Sequence, residues 1–338
     1  MAKVSFILGI YNAERTLYEC LKSIVMQDVL AEEYEILVID GGSTDDTLDI
    51  VREFMDKHSN IRLMHNPGKL SEGRGMSKDL GVQAAKGDIL IFLDHDNILL
   101  EKEWLRDIMV PFYLDHEIMA SQSLLFATSQ DTFFLQYVNA VGVEDPFAIP
   151  YSLVAQVVLH PERFRFVEHS EAQYYIHRLN PERVLYGGAN GCAFRKEVFE
   201  IIQGYTRDVD IFASMAEHRM KVAIPSKPRV YHKTASSFGQ YLKKKAIYFY
   251  RFIHKEYETK TFQWSSLGPE LSGKIAFYLM VMYNLSIVGP MLLALKQFIK
   301  TQELFWLLHP FYVFIITVEY GLITLLKLPN FLKYSMKS

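Results

Sequence analysis

The sequence predicts an α/β fold, a mostly parallel sheet with helices on both faces, followed by a C-terminal third directed at a membrane. Three observations carry this. Short apolar runs alternate with segments of helical spacing from residue 3 to residue 96. Polar clusters stand at the ends of three of those runs. Two long segments near the C-terminus are almost free of charge. Composition agrees: of 338 residues, 50% are hydrophobic and 22% charged, with a net charge of −3. Such a chain is not disordered, and its core needs no disulfide or structural metal. The near-neutral balance argues against a nucleic-acid binder. Cys20 and Cys192 form no CxxC pattern, which excludes a cysteine-built zinc site and suits a reducing compartment.

Lys3–Ile10 reads as a buried strand that ends in a Tyr11-Asn12 loop. Ala13–Met26 has helical spacing through Leu17, Leu21, Ile24 and Val25. Glu35–Asp40 is a second strand, and Gly41–Thr47 a turn and helix start with Ser43 or Thr44 as cap. The helix continues over Thr47–Met55. Ile61–His65 is a third strand, Ser71–Ala85 a glycine-interrupted helix, and Asp88–Leu93 a fourth strand ending at Asp94-His95-Asp96. Strand–helix alternation of this kind builds a parallel sheet, and ligands bind such sheets beyond the carboxyl ends of the strands. Tyr11-Asn12, Asp40 and Asp94–Asp96 all fall there.

The turn after the first strand, Gly9-Ile10-Tyr11-Asn12-Ala13-Glu14, lacks the GxGxxG of a dinucleotide site. The chain has no GxxxxGK[ST], GxSxG or HExxH. Asp94 and Asp96, two carboxylates at i, i+2 past an apolar strand, suit a hard cation such as Mg²⁺ or Mn²⁺ that bridges phosphate oxygens.

Residues 227–260 hold nine Lys/Arg and two acids, a local charge of +7 that leaves −10 elsewhere. Within them, Phe238–Tyr257 interleaves aromatic and basic residues at near-helical spacing, the pattern of an interfacial helix. Ile275–Leu295 has 21 residues without charge, and Leu304–Leu326 has 23 with Glu319 as the one acid. About 20 apolar residues cross a bilayer, so both read as transmembrane helices. The basic collar before them and Lys327, Lys333 and Lys337 after them outweigh Lys296 and Lys300 in the joining loop. Both flanks are therefore expected in the cytosol. The domain plan is a cytosolic domain over 1–235, a basic amphipathic collar over 236–274, a two-helix transmembrane hairpin over 275–326 and a cytosolic tail over 327–338. No signal peptide is visible.

Three segments resemble the family 2 glycosyltransferases of the GT-A fold. They are Ser5–Asn12 (SFILGIYN), Glu35–Thr47 (EILVIDGGSTDDT, close to VDDGSTDDT) and Gly81–Asp96 (GVQAAKGDILIFLDHD, like A-x-G-x-x-x-x-F-L-D-x-D). Order and spacing agree, and the resemblance covers roughly residues 3–233. It implies a nucleotide-diphospho-sugar transferase fold and, residue by residue, a site. Asp40 is implied to hold the nucleotide base or ribose, with Tyr11, Asn12 and Glu14 on the nucleotide-side rim. Asp94 is implied to contact the ribose or donor sugar, and Asp96 a metal. Lys78-Asp79 stands where the family often has Arg-Asn. Lys78 keeps a positive charge near the diphosphate without a bidentate fork, and Asp79 takes the donor-sugar position.

Gly187–Phe199 resembles the family's acceptor-side strand and helix. Gly204–Ile211 (GYTRDVDI) resembles the segment G-(F/Y)-…-E-D-x-D-(L/I), in which the second acid of the E-D pair is the general base. That makes Asp208 the base, with Asp210 as the other candidate because Arg207 replaces the Glu. His232 ends an apolar run where some relatives place a further metal ligand. Gln240–Lys244 matches the QxxRW element of processive members only faintly.

The implied activity is membrane-associated, metal-dependent (Mn²⁺ or Mg²⁺) inverting transfer. The sugar moves from a UDP- or GDP-linked donor to a hydroxyl of a lipid-linked glycan or glycolipid, on the cytosolic face and with no nucleic-acid partner. A polyprenyl-phosphate acceptor and a non-catalytic nucleotide-sugar-binding protein are the other readings. Residues 144–185 carry no motif and are expected to form a loop with His160, His169 and His177 at the surface.

Overall fold

A computed structural model describes residues 3–68, 74–143, 145–188, 190–232, 237–251 and 270–326. The chain forms two compact units, Met1–Phe126 with Tyr151–His232, and Ala127–Pro150 with Lys233–Ser338.

The first unit begins in the expected order: β1 (Val4–Ile10), α1 (Leu17–Val25), β2 (Tyr34–Asp40), α2 (Thr47–Lys57), β3 (Ile61–His65), α3 (Ser77–Ala84) and β4 (Ile89–Phe92). Every residue of β1 is buried, as a central strand covered on both faces requires. β5 (Asn97–Leu99), α4 (Trp104–Leu114), β6 (Ile118–Gln122) and β7 (Leu124–Phe126) follow. The chain then passes through α5 (Phe133–Val141) of the second unit. It returns with α6 (Leu153–Leu159), β8 (Arg165–Glu168), β9 (Gln173–Arg178), β10 (Cys192–Arg195), α7 (Glu197–Ile201), α8 (Asp208–Glu217), β11 (Lys221–Pro225) and β12 (Arg229–His232).

Among the described residues the larger sheet has nine strands in the order β3-β2-β1-β4-β10-β6-β11-β9-β8. Its first four are parallel, because α1, α2 and α3 supply the crossovers that parallel pairing needs. The rest departs from the mostly parallel sheet expected from sequence. β10 runs antiparallel to both β4 and β6, and β8 and β9 form an antiparallel hairpin. The sheet is mixed. β5, β12 and β7 make a second, smaller sheet.

The segment 144–185, expected as a loop, contributes α6, β8 and β9. His177 lies on β9 with its ring 5.5 Å from that of Phe164. His177 is half-buried rather than fully at the surface, and its partial burial lowers its pKa to about 4. The core places Phe6, Leu8, Ile36, Val38, Ile89 and Ile91 of the parallel strands against Trp104 and Ile108 of α4. On the other side α3 lies unusually close to β1. A Cβ at Gly81 would stand 2.4 Å from Ile7 Cγ2, so only glycine permits the approach.

The second unit packs α5 with α9 (Phe238–Arg251), α10 (Glu270–Ser286), α11 (Val288–Thr301) and α12 (His309–Leu326). Phe134, Phe238, Tyr241 and Tyr312 form one aromatic cluster. Tyr137 packs on Trp306 and shares a 2.5 Å hydrogen bond with His309 Nδ1.

The expected hairpin is not two straight helices. Residues 275–295 break at Ile287 (φ 60°), and the halves 277–286 and 288–301 are bent by 73°. Pro290 explains the break: it has no N–H, and in a continuous helix its ring would strike the carbonyl of Ser286. Ser286 Oγ instead accepts the Gly289 N–H at 3.3 Å. Among the described residues, one stretch, Leu304–Leu325, is by itself long and apolar enough to cross a membrane, and 44% of its apolar window is buried within the protein. The collar's C-terminal part, 252–269, and the tail, 327–338, lie outside the described residues.

Candidate active site

Strand register sets the site edge. Ile10 pairs with Asp40, and Ile7 with Phe92, so Tyr11, Gly41 and Asp94 leave β1, β2 and β4 along one edge. The first two exits are laced together. Asn12 adopts φ 47°, a conformation asparagine tolerates better than most residues, and its Oδ1 accepts the Thr44 N–H at 2.9 Å. In return the Asn12 N–H donates to Ser43 Oγ (3.0 Å) and the Ala13 N–H to Thr47 Oγ1 (2.7 Å). Glu14 Oε2 accepts the Asp46 N–H at 3.4 Å. The carboxylate of Asp40 is buried and accepts the Gly42 and Ser43 N–H groups, each at 3.0 Å. The expected caps Ser43 and Thr44 are engaged in this lacing, and Asp45 Oδ1 takes the Thr47 N–H that opens α2. Tyr11 stands out from the turn, 47% exposed.

At the third exit, Asn97 folds the Asp94–Asn97 turn by accepting the Asp94 N–H (3.0 Å) and donating its own N–H to the Asp94 carbonyl (3.0 Å). His95 turns away to Thr16, with Nδ1 2.7 Å from Oγ1. β12 pairs antiparallel with β5 so that His232 faces Asn97, and His232 Nε2 comes to 3.4 Å from Asp96 Oδ2. Two residues 136 positions apart in sequence are joined by one register pair.

α3 brings the third component. Lys78 is fully buried, with Nζ 3.0 Å from Asp94 Oδ1, 3.8 Å from Asp208 Oδ1 and 5.8 Å from the ring centre of Tyr205. Burying an ammonium demands charged partners. Asp208 opens α8, whose Ile211, Phe212 and Met215 anchor it in the core. The Tyr205 hydroxyl donates to Asp208 Oδ1, and the Tyr205 ring packs on Phe92 at 4.8 Å.

Asp79, expected at the donor-sugar position, is held by backbone groups. Its Oδ2 accepts the Gly75 N–H (2.8 Å) and its Oδ1 the Tyr205 N–H (2.8 Å). A Cβ on Gly204, at φ 99°, would stand 2.8 Å from that Oδ1. Asp79 therefore fastens the Gly204-Tyr205 turn that carries the Asp208 contact. Asp210 is buried and lies 3.9 Å from Arg207 Nη1. Tyr205 was not singled out from sequence, although an aromatic three residues before the candidate base was the signal for it.

Burial foremost, and then the charges of Asp96 and Asp94, raise the Cys20 thiol far above its usual range. Burial and Asp208 do the same to Cys192. Asp96 and His232 supply an oxygen and a nitrogen donor within reach of one ion, a set that suits Mn²⁺. Among the described residues no group of three such side chains forms.

Residues 5–166 match the model described as glycosyl transferase family 2. A poly(ribitol-phosphate) beta-glucosyltransferase of Bacillus spizizenii is 34% identical over 104 residues, covering 31% of this chain and 16% of that protein. A dolichyl N-acetyl-alpha-D-glucosaminyl phosphate 3-beta-D-2,3-diacetamido-2,3-dideoxy-beta-D-glucuronosyltransferase of Methanococcus voltae is 37% identical over 90 residues, covering 26% and 27%. The matched stretch thus spans less than a third of either curated relative. The solved structure of the mannosyltransferase PcManGT from Pyrobaculum calidifontis, in complex with GDP-Man and Mn²⁺, aligns over 96% of this chain and 87% of its own. Its TM-score is 0.57 at 15% identity, a likeness of fold.

Proposed function

We propose, from the match of residues 5–166 to glycosyl transferase family 2, that this chain is a membrane-associated inverting glycosyltransferase with Asp208 as general base. The observation that carries the reading is the row Asp94–Lys78–Asp208, one buried ammonium between two carboxylates at 3.0 and 3.8 Å. A hydroxyl is a poor nucleophile at neutral pH. A carboxylate that takes its proton as the glycosidic C–O bond forms contributes roughly 10²–10⁴-fold. A single displacement on the face opposite the leaving diphosphate inverts the anomeric carbon.

Lys78 and Tyr205 orient the Asp208 carboxylate, and Asp94 contacts the ribose or donor sugar. Tyr11, Asn12, Glu14 and Asp40 form the nucleotide side. Asp79 serves by holding the Tyr205 turn, and Asp210 by pairing with Arg207. Asp96 and His232 would hold Mn²⁺ or Mg²⁺, which when bound offsets the charge of the departing diphosphate. The donor is a UDP- or GDP-linked sugar; the GDP-Man and Mn²⁺ in the Pyrobaculum structure support the class.

The acceptor is a hydroxyl of a lipid-linked glycan or glycolipid. The apolar stretch 304–325 and the dolichyl compound in the Methanococcus relative's name support it. Basic α9 and the apolar helices of the second unit attach the protein to a membrane, with catalysis on the cytosolic face. Asp208→Asn tests the base directly. Nucleotide binding is expected to persist while transfer falls about 10²–10⁴-fold. Full transfer by the variant would remove Asp208 as base and favour a phosphate acceptor, which needs no deprotonation.

A further inference from the structure

α11 and α12 of the second unit each carry an exposed apolar stripe, and α10 exposes Tyr278, Leu279 and Met282 as well. On α12 the stripe is Phe311, Ile315, Val318, Leu322 and Leu325, at spacings of four and three. On α11 it is Val288, Leu292, Leu295 and Ile299, while Pro290, Ala294 and Gln297 face the bundle. Lys296 and Lys300 are exposed beside the α11 stripe. A helix that buries one stripe and keeps lysines at its border suits a membrane interface.

The packing of α12 points the same way. α9 runs alongside it: Tyr241 OH lies 2.5 Å from Tyr312 OH, and the rings of Phe249 and Tyr320 stack at 3.9 Å. Between those two levels α9 carries Lys243, Lys244 and Lys245. Asp145 accepts the Tyr320 hydroxyl at 2.5 Å. Were Leu304–Leu325 a bilayer span, its midpoint would fall between Tyr312 and Tyr320. Three lysines would then sit at the depth where charge is least tolerated, with the aspartate about 8 Å from it. α11, with 14 residues, is about 21 Å long and bent 73° from the helix before it, too short and too oblique to cross about 30 Å of hydrocarbon.

From this we infer that the second unit is a monotopic module. α11 and α12 lie in the plane of one leaflet, their stripes in the acyl boundary, with Lys296 and Lys300 at anionic phospholipid phosphates. The inference rests on the membrane attachment proposed above and replaces the two-pass hairpin by a surface-embedded one.

The test is depth. Nitroxide labels are placed singly on the full chain by Val288→Cys, Leu292→Cys, Ile299→Cys, Phe311→Cys, Val318→Cys and Leu325→Cys; the native cysteines are buried. The protein is bound to mixed phosphatidylcholine–phosphatidylglycerol vesicles. All six labels are expected at one shallow depth, about 5–10 Å below the phosphates. A depth that changes by about 1.5 Å per residue from 311 to 325 and passes through the bilayer centre would mean a span, and would overturn the inference while leaving membrane attachment standing. Labels that meet no lipid at all would overturn both, and spin–spin broadening among them would then identify a second copy of the chain as what covers the stripes. Reversing Lys296→Glu with Lys300→Glu should lower partitioning onto the anionic vesicles about tenfold or more and leave pure phosphatidylcholine unaffected. Unchanged partitioning would contradict the lysine–phosphate contact.

Discussion

The turns after β1 and β2 and the group around Lys78 share one sheet edge but use their polar atoms differently. In the turns, Asn12, Asp40, Asp45 and Glu14 accept backbone N–H groups, so their chemistry builds the local fold. Around Lys78, the side chains of Asp94, Asp208 and Tyr205 meet one another, drawn from three distant segments. The first region is a scaffold from which the large side chain of Tyr11 stands out, 47% exposed. The second is a charge cluster whose members have little other reason to converge.

This contrast can be broken in stages. Lys78→Met is expected to have the largest effect on stability, about 3–5 kcal/mol, because it leaves Asp94 and Asp208 without their buried cation. Chemical denaturation measures it, and a loss below about 1 kcal/mol would show that the cluster is not held by that charge. Asp40→Ala should cost less, about 1–2 kcal/mol, the worth of a lost cap at two N–H groups. A stability loss equal to that of Lys78→Met would erase the distinction between the regions. Tyr11→Ala should change stability by no more than about 0.5 kcal/mol, since the side chain is half exposed, yet weaken nucleotide binding. Unchanged nucleotide affinity in that variant would take Tyr11 out of the rim.

The scaffold was legible in the sequence because it is local. SFILGIYN, EILVIDGGSTDDT and DILIFLDHD each encode a strand and its exit turn within about a dozen residues, and the register of β1 with β2 and β4 does the rest. The cluster was legible only as separate residues. Lys78 was expected near a diphosphate, but the depth of α3, set by Gly81, is a property of packing. Asp79 was expected at a donor sugar because Lys78-Asp79 stands where the family often has Arg-Asn. Its role as a clamp depends on Gly204, 125 residues away in sequence. β10 reversing the sheet direction has no periodic signature. In the second unit the charge count predicted two straight spans and passed over Pro290, whose missing N–H breaks the first of them.

The most direct test of the account is calorimetric titration of the full chain with UDP and with GDP, each with and without Mn²⁺, beside Asp96→Ala. The account predicts that one nucleotide binds, that Mn²⁺ strengthens the binding, and that the variant loses the metal-dependent part. A folded protein that binds neither nucleotide, or binds one equally well with and without metal and with and without Asp96, would contradict the Asp96–His232 site and the donor chemistry built on it.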